Sequence, residues 1–358
     1  RPGHPRLRCA TTLAVACMLV LPATAQRKKK KQRPETDKNV PGVQMIDSKT
    51  IDRPKSQQRK GPGYNLDTRR NERKALADEK REEAIQTLLD ILEIEDPNGP
   101  SYPEALVRLA DQYWQKSEDF GDKAQSEAVL RCIYDAEETK DTQALARCRS
   151  QQQGFLSEQQ RWRRQTIITY QQIEKDHPSF RDLDQVLYSL GYHLSLMGEH
   201  DEGYAYYAKL VLQRPTSPLI PDTYLNIGDY FFGFKNDFQQ ALAFYDKVKQ
   251  FGDTRVRGYA IYKSGWCWFN LGDKAKAMNF FYETIKWTIE AEKRGSRVAI
   301  DLRSEAQMDM VRAYSYIGAP NKALRFFKKV APEMALKLCE KLAIIYTNDS
   351  NYGASNQV

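Results

Sequence analysis

From Asn71 onward the apolar residues recur at helical intervals. Ala75, Ala84, Ile85, Leu88, Leu89, Ile91 and Leu92 share one face of a first helix, and Asp78–Glu83 supplies the other with opposite charges three and four apart. The run Asp96-Pro97-Asn98-Gly99-Pro100 stops it. Further along, the pattern acquires a fixed spacing. Gly265, Trp268, Gly272, Ala277 and Phe281 stand at successive offsets of three, four, five and four. Gly191, Leu194, Gly198, Gly203 and Tyr207 repeat those offsets, as do Val311, Tyr314, Gly318, Ala323 and Phe327. Such a set predicts two helices that cross closely. A small residue lets the backbones approach, and an aromatic side chain fills the groove beside it. The second glycine of each set is expected to end the first helix in a left-handed conformation. One pair cannot bury its own apolar face, so the predicted fold is an all-α stack of helix–turn–helix units.

The order of small, aromatic, glycine, alanine and aromatic positions resembles the tetratricopeptide repeat (TPR), and the chain is similar to TPR solenoids from about residue 102 to 350. The small positions Gly191, Gly228 and Gly265 recur every 37 residues. In the middle repeat Ala241 and Tyr245 arrive one residue late, which predicts a longer turn at Phe234–Phe238. Tyr102–Gln115 reads as a first helix with Ala110 at its small position, and Arg161–Asp176, with Tyr170 and Ile173, reads as the partner. The domains expected are therefore a signal peptide over 1–25, a basic disordered linker over 26–71 and an N-terminal helix over 72–100. A repeat over 101–180 with an insertion at 117–160 follows, then the array over 181–350 and an incomplete end at 351–358. Because a solenoid finishes on a polar capping helix, the array is expected to continue past Val358.

Charge is divided unevenly. The net +8 splits into +3 over residues 1–25, +9 over 26–73 and −4 over 74–358, so the repeats are mildly acidic. A superhelix built to grip nucleic acid would carry its positive charge on the folded surface, and no nucleic-acid partner is expected. Arg1, Arg6 and Arg8, the uncharged run Cys9–Leu21 and Ala23-Thr24-Ala25 before Gln26 match a secretory signal. Cleavage, lipidation at Cys17 and retention as a short anchor are the alternatives there. The basic run Arg27–Lys31 directly after the cleavage site works against translocation. Export to the periplasm of a Gram-negative envelope is the expectation. The linker has too few apolar residues to offset its ordering entropy. Its basic residues 27–33 are either a solvated tail or a contact for an anionic surface such as phospholipid headgroups.

Candidate chemistry is sparse. His177, His193 and His200 stand apart from any cysteine or second histidine at ligand spacing, and His4 lies in the signal. Nucleophile-elbow, zincin, Walker and dinucleotide motifs are absent, so no enzyme, catalytic residue, cofactor or metal site is expected. Cys132 and Cys148, sixteen apart in the insertion, form a candidate disulfide in an exported chain; a metal site and free thiols are the rivals. Cys267 and Cys339 fall within helix patterns as small core residues.

The resemblance also implies a binding groove. In the TPR family it is lined by first helices at positions three before, one after and four after the small residue. Carried over, these are Tyr188, Tyr192 and Ser195; Leu225, Asp229 and Phe232; Tyr262, Trp266 and Phe269; Met308, Arg312 and Ser315. Tyr259 joins them one turn earlier. So aromatic a surface suits peptide or helix partners, or sugar rings, unless the side chains pack against the neighbouring repeat. The Lys, Arg and Asn clamps of the family's C-terminal-peptide grooves are represented by Arg312 alone. The layout of signal, basic tail and repeats is similar to periplasmic TPR proteins of trans-envelope machines, including Tol-associated coordinators and components of myxobacterial gliding motility. It implies a non-enzymatic scaffold or adaptor for other envelope proteins. A glycan-binding module and a cytoplasmic TPR adaptor are the alternatives.

Overall fold

Short polar side chains set where several helices begin. Asp141 accepts the amides of Gln143 and Ala144 at 3.0 and 2.9 Å, Asp237 that of Gln240 at 3.0 Å, and Asp273 that of Lys276 at 2.9 Å. Each satisfies first-turn donors that the helix itself leaves unpaired. The structure, a computed structural model, describes residues 66–252, 254–295 and 299–358. The signal expected at 1–25, the linker as far as 65 and the basic residues 27–33 lie outside the described residues.

In chain order come α1 (Leu66–Ile94), α2 (Ser101–Ala124), α3 (Glu127–Glu138), α4 (Thr142–Asp176), α5 (Leu183–Leu196), α6 (His200–Gln213) and α7 (Ile220–Asp229). A π-helical turn, Tyr230–Lys235, continues α7. Then follow α8 (Phe238–Lys249), α9 (Arg257–Asn270), α10 (Lys274–Lys293), α11 (Ala299–Ile317), α12 (Ala323–Val330), α13 (Ala335–Asn348) and α14 (Tyr352–Ser355). Among the described residues there is no strand, and no helix is long and apolar enough to cross a membrane.

Helices pack as pairs, α2 on α4, α5 on α6, α7 on α8 and α9 on α10, and each pair leans on the next. Contact at the small positions is close enough to exclude any larger side chain. A Cβ at Gly191, Gly228 or Gly265 would meet the rings of Tyr207, Tyr245 and Phe281 at 2.6, 2.4 and 2.8 Å. All three rings are buried, and those of Tyr245 and Phe281 belong to apolar clusters. Residues 117–160 extend both helices of the first pair and add α3 beyond them. The pair is antiparallel: Tyr170 lies by Asp111, Trp162 by Tyr113, and Gln152 by Ala124.

Gly198 and Gly272 end α5 and α9 with φ of +84° and +89°, as a left-handed helix end requires. Gly318 departs from that expectation, since its φ is not positive. There the ring of Tyr314 occupies the space, 2.2 Å from where a Cβ would stand, and its hydroxyl donates to the Ala319 carbonyl at 2.8 Å. Glycine is required at 318 for room rather than for backbone handedness. The middle repeat also differs. Asn236, with φ of +54°, takes the left-handed position, and Ala241 follows it at the same offset of five that separates Gly272 from Ala277. The extra residue lies upstream of the turn. A π-helical turn takes up one residue more than an α-turn, so Tyr230–Lys235 absorbs it without shifting Tyr245 off Gly228.

Candidate partner-binding surface

The first helix α9 carries Tyr259, Tyr262, Trp266 and Phe269, and Tyr262 and Trp266 flank the Phe281 ring that packs on Gly265, at 5.8 and 5.6 Å. Trp266 and Phe269 meet edge to face at 5.3 Å, the orientation favoured by ring quadrupoles. Phe269 in turn meets Tyr316 of α11 at 5.7 Å. Two cations sit on these rings: Arg312 lies 5.8 Å from the Trp266 centroid, and Lys274 lies 3.5 Å from that of Phe269 and 5.1 Å from that of Tyr316. Beside them a cleft of about 330 Å³ is lined by Phe269, Arg312, Ser315, Tyr316, Ile345, Asn348 and Asp349. Trp266, Phe269, Tyr262 and Met308 are only partly buried, each with one side against the core. Tyr262 donates to Asp309 at 2.5 Å, and burial, with that bond, raises its phenol well above the ordinary value.

Compared with known families, residues 259–286 match the tetratricopeptide repeat. The match spans most of α9 and the first two thirds of α10, with Gly265, Gly272, Ala277 and Phe281 inside it. Residues 259–286 thus carry a tetratricopeptide repeat within an all-helical stack. No curated protein matches it.

Within this TPR stack, the residues proposed for the groove fall into separate neighbourhoods. Tyr262, Trp266, Phe269, Met308 and Arg312 converge at α9 and α11. Tyr188 and Tyr192 belong to a second cluster, where Tyr188 lies 5.8 Å from Tyr207 and Tyr192 6.1 Å from Trp114. Tyr192 stays 42% exposed and Tyr259 38%. Phe232 lies under the ammonium of Lys263 at 5.3 Å, against Phe238. Asp229 is used internally: it accepts from the Tyr245 hydroxyl at 2.7 Å and pairs with Lys263 at 3.3 Å. Applied to Ala110, the same register names Val107, Asp111 and Trp114. Val107 and Asp111 line a polar cleft of about 270 Å³ with Glu104, Arg108, Arg181 and Gln185.

Lys274, Tyr316, Ile345 and Asn348 carry no register signal. Lys274 belongs to the start of α10, and Tyr316 is five past Val311, so only packing brings them to the first-helix surface. His193 is buried against Trp114 at 4.4 Å and Tyr170 at 5.9 Å. Burial, aided by the nearby charge of Arg163, lowers its imidazole to about 4. Cys267 and Cys339 are buried thiols, and burial pushes Cys267 up to about 12, which leaves it inert as a nucleophile. Cys132 and Cys148 stand at disulfide distance, Cα–Cα 5.9 Å, tying α3 to α4. Among the described residues no cluster of His, Cys, Asp and Glu could hold a metal ion.

Proposed function

We propose that this TPR protein is an exported adaptor that holds partner proteins together in a cell-envelope complex. Repeats of this kind generally mediate protein–protein binding and typically serve as non-enzymatic scaffolds. The carrying observation is the Trp266–Phe269–Tyr316–Arg312 cluster, in which partly exposed rings from two repeats adjoin an open cleft. Rigid aromatic side chains flanked by arginine provide contact area at low entropic cost, as binding hot spots do. Export is supported by the signal-like residues Arg1–Gln26 and by the Cys132–Cys148 pair, because disulfides persist in oxidising compartments. A role in envelope coordination or motility follows the layout of signal, basic tail and repeats.

Glycan binding is the lesser reading. Stacking on sugars needs free ring faces, and here Lys274 covers Phe269 at 3.5 Å and Lys276 covers Trp268 at 3.9 Å. Fractionation with N-terminal mass measurement tests the address: a chain beginning at Gln26 in the periplasmic fraction is expected, and an uncleaved cytoplasmic chain overturns it. Cross-linking in cells tests the surface. Trp266→Ala should abolish partner adducts while the fold is retained, and competition by soluble glycan fragments would transfer the site to sugars.

A further inference from the structure

The cleft beside α9 and α11 brings two cations onto ring faces. Several cations elsewhere on the repeats have carboxylates, Lys235 with Asp201 at 2.7 Å, Lys263 with Asp229 at 3.3 Å, Lys276 with Asp273 at 3.2 Å and Arg303 with Glu292 at 2.8 Å, whereas Lys247 and Lys286 rest on ring faces. Among the described residues no carboxylate pairs with Arg312 or Lys274. Their contacts are ring faces, with Trp266 under Arg312 and Phe269 and Tyr316 under Lys274, whose ammonium also donates to the Phe269 carbonyl at 2.5 Å. A cation on a ring at a partly exposed site gains less than a charge-assisted hydrogen bond supplies. An incoming carboxylate can therefore draw either cation off its ring and uncover the aromatic face to an apolar group.

The lining suits that pair of groups. Phe269, Tyr316 and Ile345 form apolar walls, and the volume of about 330 Å³ is at the small end of ligand-sized pockets. Asp349 also lines the cleft. Arg312 and Asp349 line the cleft and balance each other, so the excess positive charge is that of Lys274 at its edge over the Tyr316 ring, enough for one carboxylate and unfavourable to two. A chain terminus needs several converging donors. The cleft offers one amide, Asn348, and the Ser315 hydroxyl is already committed to the Arg312 carbonyl at 2.9 Å.

From this we infer that the cleft recognises an internal segment of a partner protein that carries one Asp or Glu side chain next to an apolar anchor. This rests on the adaptor reading above. The anchor lies against Phe269, Tyr316 and Ile345, and the carboxylate pairs with Arg312 or Lys274.

The test is selection of 12-residue peptides displayed as internal loops, with no free chain end, panned on the full chain. Enriched sequences should hold an acidic residue within two positions of Leu, Met or Phe. As synthetic peptides amidated at the C-terminus, they should bind roughly tenfold more weakly to Arg312→Ala. Lys274→Ala should weaken binding less, Asp349→Asn should strengthen it, and Arg325→Ala on α12 should leave it unchanged. Arg312→Lys, which keeps the charge, serves if Arg312→Ala fails to fold, and should retain part of the affinity. Peptides without acidic enrichment, or equal binding to Arg312→Ala, would overturn the proposal and leave the adaptor reading standing. Binding only through a free C-terminus would overturn the side-chain assignment. Failure to enrich any peptide would overturn both readings.

Discussion

The pair α2–α4 and the pairs α7–α8 and α9–α10 hold two helices together by different means. In the latter, Gly228 and Gly265 sit under rings so close that no Cβ fits, and contact at one point fixes the crossing. The first pair has Ala110 at its small position and a long excursion through α3 between the partner helices. Its ties are lateral. Cys132 of α3 reaches Cys148 of α4, Arg163 of α4 reaches Glu118 of α2 at 3.1 Å, and Gln152 of α4 donates to the Ala124 carbonyl of α2 at 3.1 Å. Single ion pairs at a surface contribute little. The covalent tie counts for more, because an insertion raises the entropy of bringing the ends together and a cross-link removes part of that entropy. A tight spacing and a cross-linked excursion are two ways to hold one kind of helix pair.

The largest expected effect tests the excursion. Cys132→Ser should lower stability by about 3 kcal/mol, the loop-entropy value for a bridge of this span, in urea unfolding without reductant. Amide exchange in α3 should rise most. Unchanged stability and exchange would mean that α3, with only Val129 and Ala136 buried, holds by packing alone, and the contrast would collapse.

The next tests the joint between the first pair and the helix that follows it, His193 on α5 against Trp114 of α2 and Tyr170 of α4. Its folded value of about 4 lies below the ordinary 6.5, so the unfolded chain takes up the proton first as pH falls. Stability should be full above about pH 6.5 and fall by about 3 kcal/mol on descending to pH 4. Comparing unfolding of the native chain and His193→Gln across that range isolates the contribution. Parallel curves would show that the imidazole is not desolvated.

The smallest pits two helical glycines against each other. At Gly228 an added methyl meets the buried ring of Tyr245, whereas at Gly121 it meets the amide end of Gln159 at 2.2 Å, which can swing aside. Gly228→Ala should cost about 1–3 kcal/mol, and Gly121→Ala should gain about 0.5–1 kcal/mol from lost unfolded-state freedom. Thermal unfolding of the two variants decides it; equal losses would erase the distinction between close-contact and laterally tied helices.

Much of this architecture can be read along the chain. The offsets that place Gly265 under Phe281 are local and periodic, so they survive as a pattern, and the left-handed ends at Gly198 and Gly272 follow from the same register. The π-helical turn is less legible. A one-residue delay shows in the spacing, but whether helix or turn absorbs it depends on where Phe231, Phe232 and Phe234 find neighbours. Gly318 is another case, since its need for space comes from the fold-back of Tyr314 onto Ala319. Asp229 reads as a groove residue until the Tyr245 hydroxyl is seen to claim it.

By itself the sequence determined the helix pairs, the small-on-aromatic contacts and the candidacy of Cys132 and Cys148, because each is set by spacing within or between neighbouring helices. Tertiary structure alone decided which aromatics cluster, that Lys274 and Tyr316 join Phe269, and that Arg312 faces a ring instead of a carboxylate. Those outcomes depend on how one repeat leans against the next, and that lean sums many weak side-chain contacts that leave no periodic trace in the chain.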